Sequence, residues 1–553
     1  MRLNGAQIII KLLEQHGIKH VSGIPGGANL PVYDAFVDSN IEHILTRHEQ
    51  GGGFIAQGMA RVSGKVAVCM ASSGPGATNL VTAVADAYLD SIPLIAITGQ
   101  VPSSMIGTDA FQECDTYGLM LPITKHNWLV RSATELLEVI PEAFRIAASG
   151  RPGPVSIDVP KDVQLEEIEL DALPPCLAQE QMPNANDAEL AHFKQLLTEA
   201  QRPMLMVGGG VIHSGQAELL RQLAEQQEMP VVASFMGLGV IPAEHLLSLG
   251  MLGMHGAQGT NMALEECDLL IAAGVRFDDR ATGKVSEFCP QAKIIHIDID
   301  RSELGKIKQP CLGITADVCD TIRRLLLIAP PQQRMPWRER IAHLKQHFGL
   351  GSSDGFELFT PQGLIAELGR QCNEETNIIT DVGQHQMWTA QLFPFQRPRQ
   401  WISSGGLGTM GFGLPAAIGA ALQQPERMAL CISGDGSIMM NIQELDTAAE
   451  HDLNVKVVVM NNNHLGMVRQ QQKLFYKARF SGINNRRRVD LALIAEGMGV
   501  RGIDLSDAPN PQQMLAEALA TPGPCLINVP ISEQEMVFPM VPAGAANHEM
   551  IVE

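Results

Sequence analysis

Two short polar sequences, each directly after an apolar segment, contain the residue types that hold a metal ion beside a phosphate. Gly434-Asp435-Gly436-Ser437 follows residues 429–433, and Asn461-Asn462-Asn463 follows residues 455–460. If both segments are parallel strands, their carboxyl ends meet at the edge of a sheet where ligands bind. A carboxylate, an amide oxygen and a backbone carbonyl are a sufficient protein share for Mg²⁺, which usually bridges to phosphate oxygens. The glycines let the backbone approach a diphosphate closely.

Each sequence alone also has an ordinary interpretation, because Gly-Asp-Gly is a common tight turn and Asn-Asn a common loop. Together they resemble the signature of thiamine-diphosphate enzymes. By that resemblance Asp435, the side chain of Asn462 and the backbone oxygen of His464 hold Mg²⁺. Thiamine diphosphate also needs a carboxyl group that stabilises the imino tautomer of its aminopyrimidine ring. Glu49, after the apolar residues 41–45, is the candidate, although an isolated glutamate is ordinarily a solvated surface residue.

The chain resembles the acetohydroxyacid synthase (acetolactate synthase) large subunit from about residue 5 to residue 549. The resemblance rests on long strings: GIPGG at 23–27, RHEQG at 47–51, SGPGATN at 73–79, GTDAFQE at 107–113, SGRPGPV at 149–155, GMLGMHG at 250–256, RFDDR at 276–280, DVGQHQMW at 381–388 and GGLGTMGFGLPAA at 405–417. It implies thiamine diphosphate, Mg²⁺ and FAD as cofactors. The implied reaction decarboxylates pyruvate and joins the remaining two-carbon unit to a second pyruvate or to 2-oxobutyrate, the first common step of branched-chain amino-acid biosynthesis.

The resemblance implies that residues from both ends of the chain bind the thiamine cofactor. Glu49 pairs with the aminopyrimidine, while Gly408 and Met410 contact its other edge. Met410 also wedges under the thiazolium ring, although core packing is the commoner role of a methionine. The diphosphate is bound by Val382, Gly383, Gln384 and His385 on one side and by Gly434, Gly436 and Ser437 on the other. The pyrimidine side is bound by Pro25, Gly26 and Asn79. Because the first and third domains of this family face one another across subunits, a homodimer, or a dimer of dimers, is implied.

The substrates are 2-oxo acids, whose carboxylates are best held by arginine. The resemblance assigns Arg280 to the carboxylate of the second substrate, and the reacting centre to Phe111, Gln112, Lys161, Met254 and Gln471. Residues 276–280 could equally form a structural ion-pair network. The family often has Trp at the position of Gln471, where an indole would favour the extra methyl group of 2-oxobutyrate by about 1–3 kcal/mol. Gln471 therefore predicts a weak preference between the two acceptors.

A glycine triplet after residues 204–207 has the position of a phosphate-binding turn, although it is also an ordinary strand-to-helix turn. The resemblance implies that FAD contacts this triplet and several further positions: Gly208, Gly209, Gly210, Arg151, Ser234, Phe235, Gly253, His255, Arg276, Asp298 and Asp317. No redox step in the implied reaction requires a flavin. We therefore infer a structural or inherited role for it.

These residues need a scaffold that brings strand ends together. Short apolar runs that alternate with amphipathic stretches predict buried parallel strands at 66–71, 94–98, 155–159, 204–207, 269–273, 294–297, 429–433 and 455–460. Pro-rich and polar stretches interrupt the pattern at 171–186 and 329–361. The prediction is an α/β protein of three doubly wound parallel-sheet domains near 1–180 (pyrimidine-binding), 187–340 (FAD-binding) and 360–553 (diphosphate- and Mg²⁺-binding). The first and third could share a fold.

Composition excludes several other classes of protein. The formal net charge of -20 opposes binding to nucleic acid or anionic lipid, and no apolar run reaches the roughly 18–20 residues that a membrane span needs. Ten cysteines without a CxxC pair argue against a zinc site or a disulfide framework. The first residues lack the features of a signal or transit segment, so we expect a cytoplasmic protein.

Three alternative functions stay open. A catabolic, flavin-independent acetolactate synthase is expected to lack RFDDR, and a glyoxylate carboligase to have an apolar residue in place of Glu49. A catalytically silent homologue would have lost some of these competent residues. Anabolic members of the family work with a small regulatory subunit, and the sequence does not test for that partner or for feedback inhibition. Residues 480–489, which include Arg486-Arg487-Arg488, depart from the usual lid pattern.

Overall fold

The computed structural model describes residues 1–351, 355–484 and 487–552. Arg486, part of the sequence-predicted lid, lies outside these residues. Three regions of the chain each form a six-stranded sheet in which every strand pairing is parallel. The protein is therefore an α/β protein with three doubly wound sheets, as the sequence predicted.

The N-terminal sheet and its helices occupy residues 2–169. Its strands are β1 (Arg2–Asn4), β2 (His20–Gly23), β3 (Glu42–Leu45), β4 (Ala67–Ala71), β5 (Leu94–Gln100), β6 (His126–Leu129), β7 (Val155–Pro160) and β8 (Glu167–Glu169). Its helices are α1 (Gly5–Gln15), α2 (Leu30–Phe36), α3 (Glu49–Ser63), α4 (Pro75–Leu89), α5 (Thr116–Met120), α6 (Leu136–Ala148) and α7 (Lys161–Leu165). Strands β1 and β8 form a separate antiparallel pair.

The central sheet and its helices occupy residues 187–348. The strands are β9 (Pro203–Val207), β10 (Val231–Ala233), β11 (Ser248–Met251), β12 (Leu269–Ala273), β13 (Lys293–Asp298) and β14 (Leu312–Thr315). The helices are α8 (Asp187–Glu199), α9 (Gly209–Ser214), α10 (Glu218–Gln226), α11 (Gln258–Glu266), α12 (Asp279–Thr282), α13 (Val318–Ile328) and α14 (Met335–Phe348).

The C-terminal sheet and its helices occupy residues 361–530. The strands are β15 (Asn377–Thr380), β16 (Trp401–Ile402), β17 (Ala429–Gly434), β18 (Val455–Asn461), β19 (Arg501–Asp504) and β20 (Cys525–Pro530). The helices are α15 (Pro361–Gln371), α16 (Gln384–Leu392), α17 (Gly413–Gln423), α18 (Asp435–Ile438), α19 (Glu444–Glu450), α20 (Gly466–Phe475), α21 (Leu491–Gly497) and α22 (Pro511–Ala520).

The order of the strands identifies the ligand-binding edge of each sheet. The N-terminal sheet runs β3-β2-β4-β5-β7-β6 and the C-terminal sheet β16-β15-β17-β18-β20-β19, so the two have the same topology. The central sheet runs β11-β10-β9-β12-β13-β14, which is the dinucleotide-binding order. Each sheet has a point near the first strand of its region where the strand order reverses, and ligands bind beyond the carboxyl ends of the strands there. These points lie between β2 and β4, between β9 and β12, and between β15 and β17.

Packing joins the N-terminal and C-terminal regions within one chain. Helices α3 and α17 share one apolar core with both of their sheets, and the close crossing is made at glycines. A Cβ atom at Gly58 would lie 2.1 Å from the carbonyl oxygen of Ala416, and one at Gly419 would lie 1.9 Å from that of Ile55. Across the described residues, no helix is long and apolar enough to cross a membrane.

Candidate active site

A pocket opens at the point where the C-terminal sheet reverses its strand order. Most of its lining follows β15, β17 or β18, and the elements after these strands converge on it because the strands are parallel neighbours. The lining includes eleven of the predicted cofactor and metal residues: Val382, Gly383, Gln384, His385, Met410, Gly434, Asp435, Gly436, Ser437, Asn462 and His464. The structure therefore brings together the two polar sequences that were predicted to meet at one edge of a sheet.

Two buried polar atoms in this pocket have no hydrogen-bond partner among the described residues. They are Oδ2 of Asp435 and Nε2 of His385. Burial raises the pKa of Asp435 to about 6 and lowers the pKa of His385 to about 3. Leaving buried polar atoms unpaired costs about 1–3 kcal/mol each, which favours a bound group that supplies the missing partners. An anionic oxygen donor and a neutral imidazole fit a metal ion and a diphosphate.

The loop after β18 is ordered by its own amide groups. Asn462 accepts a hydrogen bond from the backbone N–H of His464 at 3.0 Å, and the ring Nδ1 of His464 lies 2.9 Å from the carbonyl oxygen of Asn462. Nδ2 of Asn462 donates to Oε1 of Gln384 at 3.4 Å. Glu533 lies 3.5 Å from the outer nitrogen of the His464 ring. These contacts keep Asn462 and Gln384, which follow two different strands, on one side of the pocket.

Two glycines near the pocket have backbone conformations that other residues rarely adopt. Gly383 has φ 156° and ψ -160°, and Gly408 has φ +70°. A Cβ atom at Gly408 would lie 3.9 Å from Cγ1 of Val382, which places Gly408 beside the pocket although it is outside the lining. The methyl carbon of Met410 would lie 4.0 Å from a Cβ atom at Gly436. Met410 therefore projects toward the Gly-Asp-Gly turn.

Glu49 is the first residue of α3 in the N-terminal region. His48 caps the helix by accepting the backbone N–H of Gln50 at 3.1 Å. Oε2 of Glu49 accepts a hydrogen bond from Nδ2 of Asn79 at 2.9 Å, so two of the predicted pyrimidine-side residues are in contact. Glu49, Asn79, Pro25 and Gly26 all lie outside the residues that line the pocket around Asp435.

The proposed substrate residues fall into two groups in the single chain. Met254 and Arg280 of the central region are in contact, because Nη1 of Arg280 lies 3.6 Å from Sδ of Met254. Phe111 and Gln112 lie on an exposed segment of the N-terminal region, and 87% of the Phe111 surface is exposed. Lys161 begins α7. Gln471 is exposed on α20, outside the pocket lining.

The predicted flavin residues, except Arg151 of the N-terminal region, lie at or near one edge of the central sheet. Ser234, Gly253, Arg276 and the glycine triplet follow the carboxyl ends of β10, β11, β12 and β9, while Asp298 ends β13 and Asp317 follows β14. Several of the predicted flavin residues also bind protein groups. Arg151 donates to Ser91 and Glu303, and Arg276 donates to the carbonyl oxygen of Leu89.

The other contacts involve acceptors and rings. Asp317 accepts hydrogen bonds from Ser214 and from the N–H of Asp320. The Phe235 ring packs against Trp401, and His255 lies 3.0 Å from the carbonyl oxygen of Pro539.

Several residues around the site were not found by sequence reasoning. Trp388 and residues 465–468 complete the pocket lining. Glu444, the first residue of α19, accepts hydrogen bonds from the backbone N–H groups of Arg47 at 3.0 Å and His48 at 3.1 Å, just before Glu49. Asp381 accepts the backbone N–H of Gly411 at 2.8 Å. An acidic residue at a strand end or in the first turn of a helix is ordinary, so only the folded chain reveals these contacts.

Comparison with protein families identifies the class first. The thiamine pyrophosphate enzyme N-terminal TPP binding domain matches residues 3–119, the central domain of these enzymes matches residues 190–325, and their C-terminal TPP binding domain matches residues 381–529. The three matches follow one another along the chain, one on each sheet. This order defines a thiamine pyrophosphate enzyme.

Comparison with individual relatives identifies the family within this class of enzymes. The chain is 55% identical over 553 residues to the acetolactate synthase isozyme 1 large subunit of Escherichia coli (strain K12), covering 100% of this chain and 98% of the relative. It is 45% identical over 550 residues to the isozyme 2 large subunit of the same organism, covering 99% of each. A probable acetolactate synthase large subunit of Methanocaldococcus jannaschii is 45% identical over 557 residues, 98% of this chain and 94% of the relative. The chain belongs to the family of acetolactate synthase large subunits.

Proposed function

We propose that this chain is the catalytic subunit of an acetolactate synthase. It decarboxylates pyruvate and joins the two-carbon unit to a second pyruvate, giving 2-acetolactate, or to 2-oxobutyrate, giving 2-aceto-2-hydroxybutyrate. The observation that carries the proposal is the pocket at the reversal point of the C-terminal sheet. There a buried carboxylate and a buried imidazole, each with one polar atom that has no partner in the described chain, lie among residues of the thiamine signature.

We assign the metal and the diphosphate to this pocket. Asp435, the side chain of Asn462 and the backbone oxygen of His464 would hold Mg²⁺, a hard cation that prefers oxygen ligands. The diphosphate would lie against Val382, Gly383, Gln384, His385, Gly434, Gly436 and Ser437. When bound, thiamine diphosphate supplies a nucleophilic carbon that attacks the 2-oxo group and then accepts the electrons released with CO₂.

The residues of the chain have separate tasks around that carbon. The Glu49 carboxyl would exchange a proton with the aminopyrimidine ring, with Asn79, Pro25 and Gly26 beside it, and Gly408 and Met410 would fix the ring from the other side. Arg280 would bind the carboxylate of the acceptor, and Gln112 would donate a hydrogen bond to the oxygen that becomes negative. Phe111, Lys161, Met254 and Gln471 would enclose the reacting centre and limit access of water.

We assign FAD to the carboxyl edge of the central sheet. The dinucleotide-binding strand order and the alignment of the predicted contacts on one edge support this assignment. A backbone that passes closely at Gly208, where a Cβ atom would lie 2.2 Å from the carbonyl oxygen of Gly274, suits the reversal point between β9 and β12. The proposed reaction needs no redox step, so the flavin would have a structural role. The three domains would lie near residues 1–180, 187–340 and 360–553.

We also propose that the active unit is a homodimer or a dimer of dimers, in the cytoplasm. Glu49 lies outside the residues that line the pocket of its own chain, so a second chain would bring it to the cofactor. The name "large subunit" of the relatives supports a small regulatory partner. The runner-up functions are a flavin-independent acetolactate synthase and a glyoxylate carboligase, and the bound flavin and a glyoxylate assay distinguish them.

The decisive test compares wild-type protein with Glu49→Gln in the presence of pyruvate, Mg²⁺, thiamine diphosphate and FAD. We expect acetolactate formation by the wild type and a loss of about 10²-fold or more in the variant, because an amide cannot take part in the proton exchange. Glu218→Gln, which changes the exposed first residue of α10, is the matched control and should keep full activity. Absence of acetolactate from the wild-type reaction would refute the proposal.

A further inference from the structure

The segment 403–409 connects β16 to Met410 in the C-terminal region, and its own residues do not favour a single backbone conformation. It reads Ser-Ser-Gly-Gly-Leu-Gly-Thr, and residues 405–408 are exposed. Glycine loses more conformational freedom on folding than any other residue, so a segment with three glycines in seven positions needs external contacts to keep one conformation. Thr380 and Gln386 of the C-terminal region contact Ser403 and Ser404, and the contacts to the glycines that follow come from the N-terminal region of the same chain.

Two carboxylates on α4 and the position after it hold the segment. Asp90, whose side chain is fully buried, accepts the backbone N–H of Gly405 at 2.9 Å and that of Gly406 at 2.7 Å, one at each oxygen. Asp86, also fully buried, accepts the hydroxyl of Ser404 at 2.6 Å and that of Thr409 at 3.4 Å. The two residues therefore grip both ends of the glycine-rich stretch.

Arg61 of α3 completes the arrangement from the same side. Its Nη2 atom lies 2.8 Å from Oδ2 of Asp90 and 3.6 Å from Oδ2 of Asp86, and its Nη1 atom donates to the carbonyl oxygen of Ser403 at 3.0 Å. Its guanidinium lies 4.9 Å from the centre of the Phe412 ring. Arg61 balances the charge of one of the two carboxylates, and burial beside Asp90 raises the pKa of Asp86 to about 7, which reduces the cost of burying the second carboxyl group.

We call the contacts of Asp86, Asp90 and Arg61 with residues 403–409 the clamp. Its last contact is at Thr409, one residue before Met410. The N–H of Thr409 donates to the Ser404 hydroxyl at 2.9 Å, and the N–H of Gly411 donates to Asp381 at 2.8 Å. Met410, which lines the pocket, is thus held between two anchored neighbours. We infer that Asp86 and Asp90 are positioning residues for the thiamine cofactor, because they fix from another domain the segment that presents Gly408 and Met410. This inference rests on the proposed function.

The test is Asp90→Asn in the full-length enzyme with saturating Mg²⁺ and FAD. The amide keeps the shape of the carboxylate but has one acceptor oxygen, so one of the two glycine N–H groups and Arg61 each lose a partner. We expect the thiamine diphosphate concentration for half-saturation to rise about tenfold, a loss of about 1.4 kcal/mol of binding. It is measured by quenching of tryptophan fluorescence, since Trp388 lines the pocket. We also expect kcat to fall, with the KM for pyruvate changed less than twofold.

The matched control is Asp268→Asn in the central region. Asp268 makes the same pattern of contacts, accepting the consecutive backbone N–H groups of Gln201 and Arg202 at 2.9 Å each. It should lower the melting temperature without changing half-saturation by thiamine diphosphate. Ser404→Ala, which removes one hydroxyl, is the second variant if Asp90→Asn does not fold. Ser404→Ala should also raise the thiamine diphosphate concentration for half-saturation.

The outcomes separate this inference from the proposed function. If the wild type forms acetolactate but both Asp90→Asn and Ser404→Ala leave half-saturation and the kcat of the folded fraction within twofold, the clamp has only a stabilising role and the inference is wrong. If the wild type neither binds thiamine diphosphate nor forms acetolactate, the proposed function is wrong and the inference fails with it.

Discussion

Burial controls the protonation of the charged side chains in the cofactor pocket. Burial lowers the pKa of His385 to about 3, so in the chain alone its imidazole is neutral near pH 7 and can form a hydrogen bond beside a diphosphate. Asp435 has its pKa raised by the same desolvation, and a bound cation would remove that penalty. The pocket is thus prepared for a cation at Asp435 and for a neutral contact at His385.

Gln471 carries the prediction on substrate preference. In competition between pyruvate and 2-oxobutyrate as acceptors, we expect the wild type to show weak selection and Gln471→Trp to shift products toward 2-aceto-2-hydroxybutyrate by about 10- to 200-fold, because an indole adds apolar contact with one methyl group. Lys473→Trp, on another face of α20, is the control and should leave the product ratio unchanged. Strong selection for 2-oxobutyrate by the wild type would contradict the prediction.

His43 carries a pH prediction. Burial lowers its pKa to about 4 from 6.5, and its ring Nε2 lies 3.0 Å from the Tyr33 hydroxyl. Between these pH values the unfolded chain binds a proton that the folded protein does not. The stabilisation from neutral His43 is therefore complete above about pH 6.5 and is lost as the pH falls toward 4. We expect the free energy of unfolding of the wild type to exceed that of His43→Asn by less at pH 5 than at pH 7. A difference independent of pH would refute this assignment.

The order of the strands explains why the two parts of the signature motif lie close together. β17 and β18 are adjacent and parallel, so the Gly-Asp-Gly turn and the asparagine cluster reach one edge, as the sequence predicted. All eight apolar runs are strands in the structure. Other strands were not predicted, among them β16 and β19, because the first has two residues and the second is partly exposed. Short or half-exposed strands lack the continuous apolar run on which the prediction depended.

The crossing of α3 and α17 provides a prediction about stability. Gly419→Ala would place a methyl group 1.9 Å from a backbone oxygen of Ile55, so the helices must separate. Because overpacking costs about 1–3 kcal/mol, we expect a loss of that size in the free energy of unfolding, measured by denaturant titration. The control is Gly497→Ala at the end of α21, where no described heavy atom lies within 4 Å of the new methyl group. It should be neutral or slightly stabilising, by up to about 1 kcal/mol. Equal effects of the two substitutions would disprove the packing argument.

In a single chain Glu49 lies outside the pocket lining around Asp435, and a segment of the N-terminal region exposes apolar side chains. Six large apolar side chains between residues 105 and 121 are exposed: Met105, Ile106, Phe111, Tyr117, Leu119 and Leu121. Exposed large apolar side chains this close together in the sequence are more typical of an interaction site than of a solvated segment. They include Phe111, one of the proposed reaction-centre residues. The proposed dimer would cover these side chains and bring Glu49 to the pocket of the partner.

We therefore predict that activity depends on assembly. Light scattering after gel filtration should give at least twice the chain mass of 59.8 kDa. Leu121→Glu should shift the protein toward monomer and lower activity in proportion, because a buried charge disfavours the interface. Leu327→Glu, at an exposed leucine on α13 of the central region, should change neither property. A fully active monomer would contradict both the dimer and the role of Glu49.

Local patterns in the chain were enough to predict the α/β class, eight strands and the meeting of the Gly-Asp-Gly turn and the asparagine cluster at one sheet edge. These features depend on residues close together in the sequence, or on strands whose apolar character is continuous. The contacts of Glu444 with the segment before Glu49, and of Asp86, Asp90 and Arg61 with the segment before Met410, became visible only after folding. Those of Glu444 and Asp90 join side chains to backbone amides up to 397 residues away, and a backbone amide has no sequence signature.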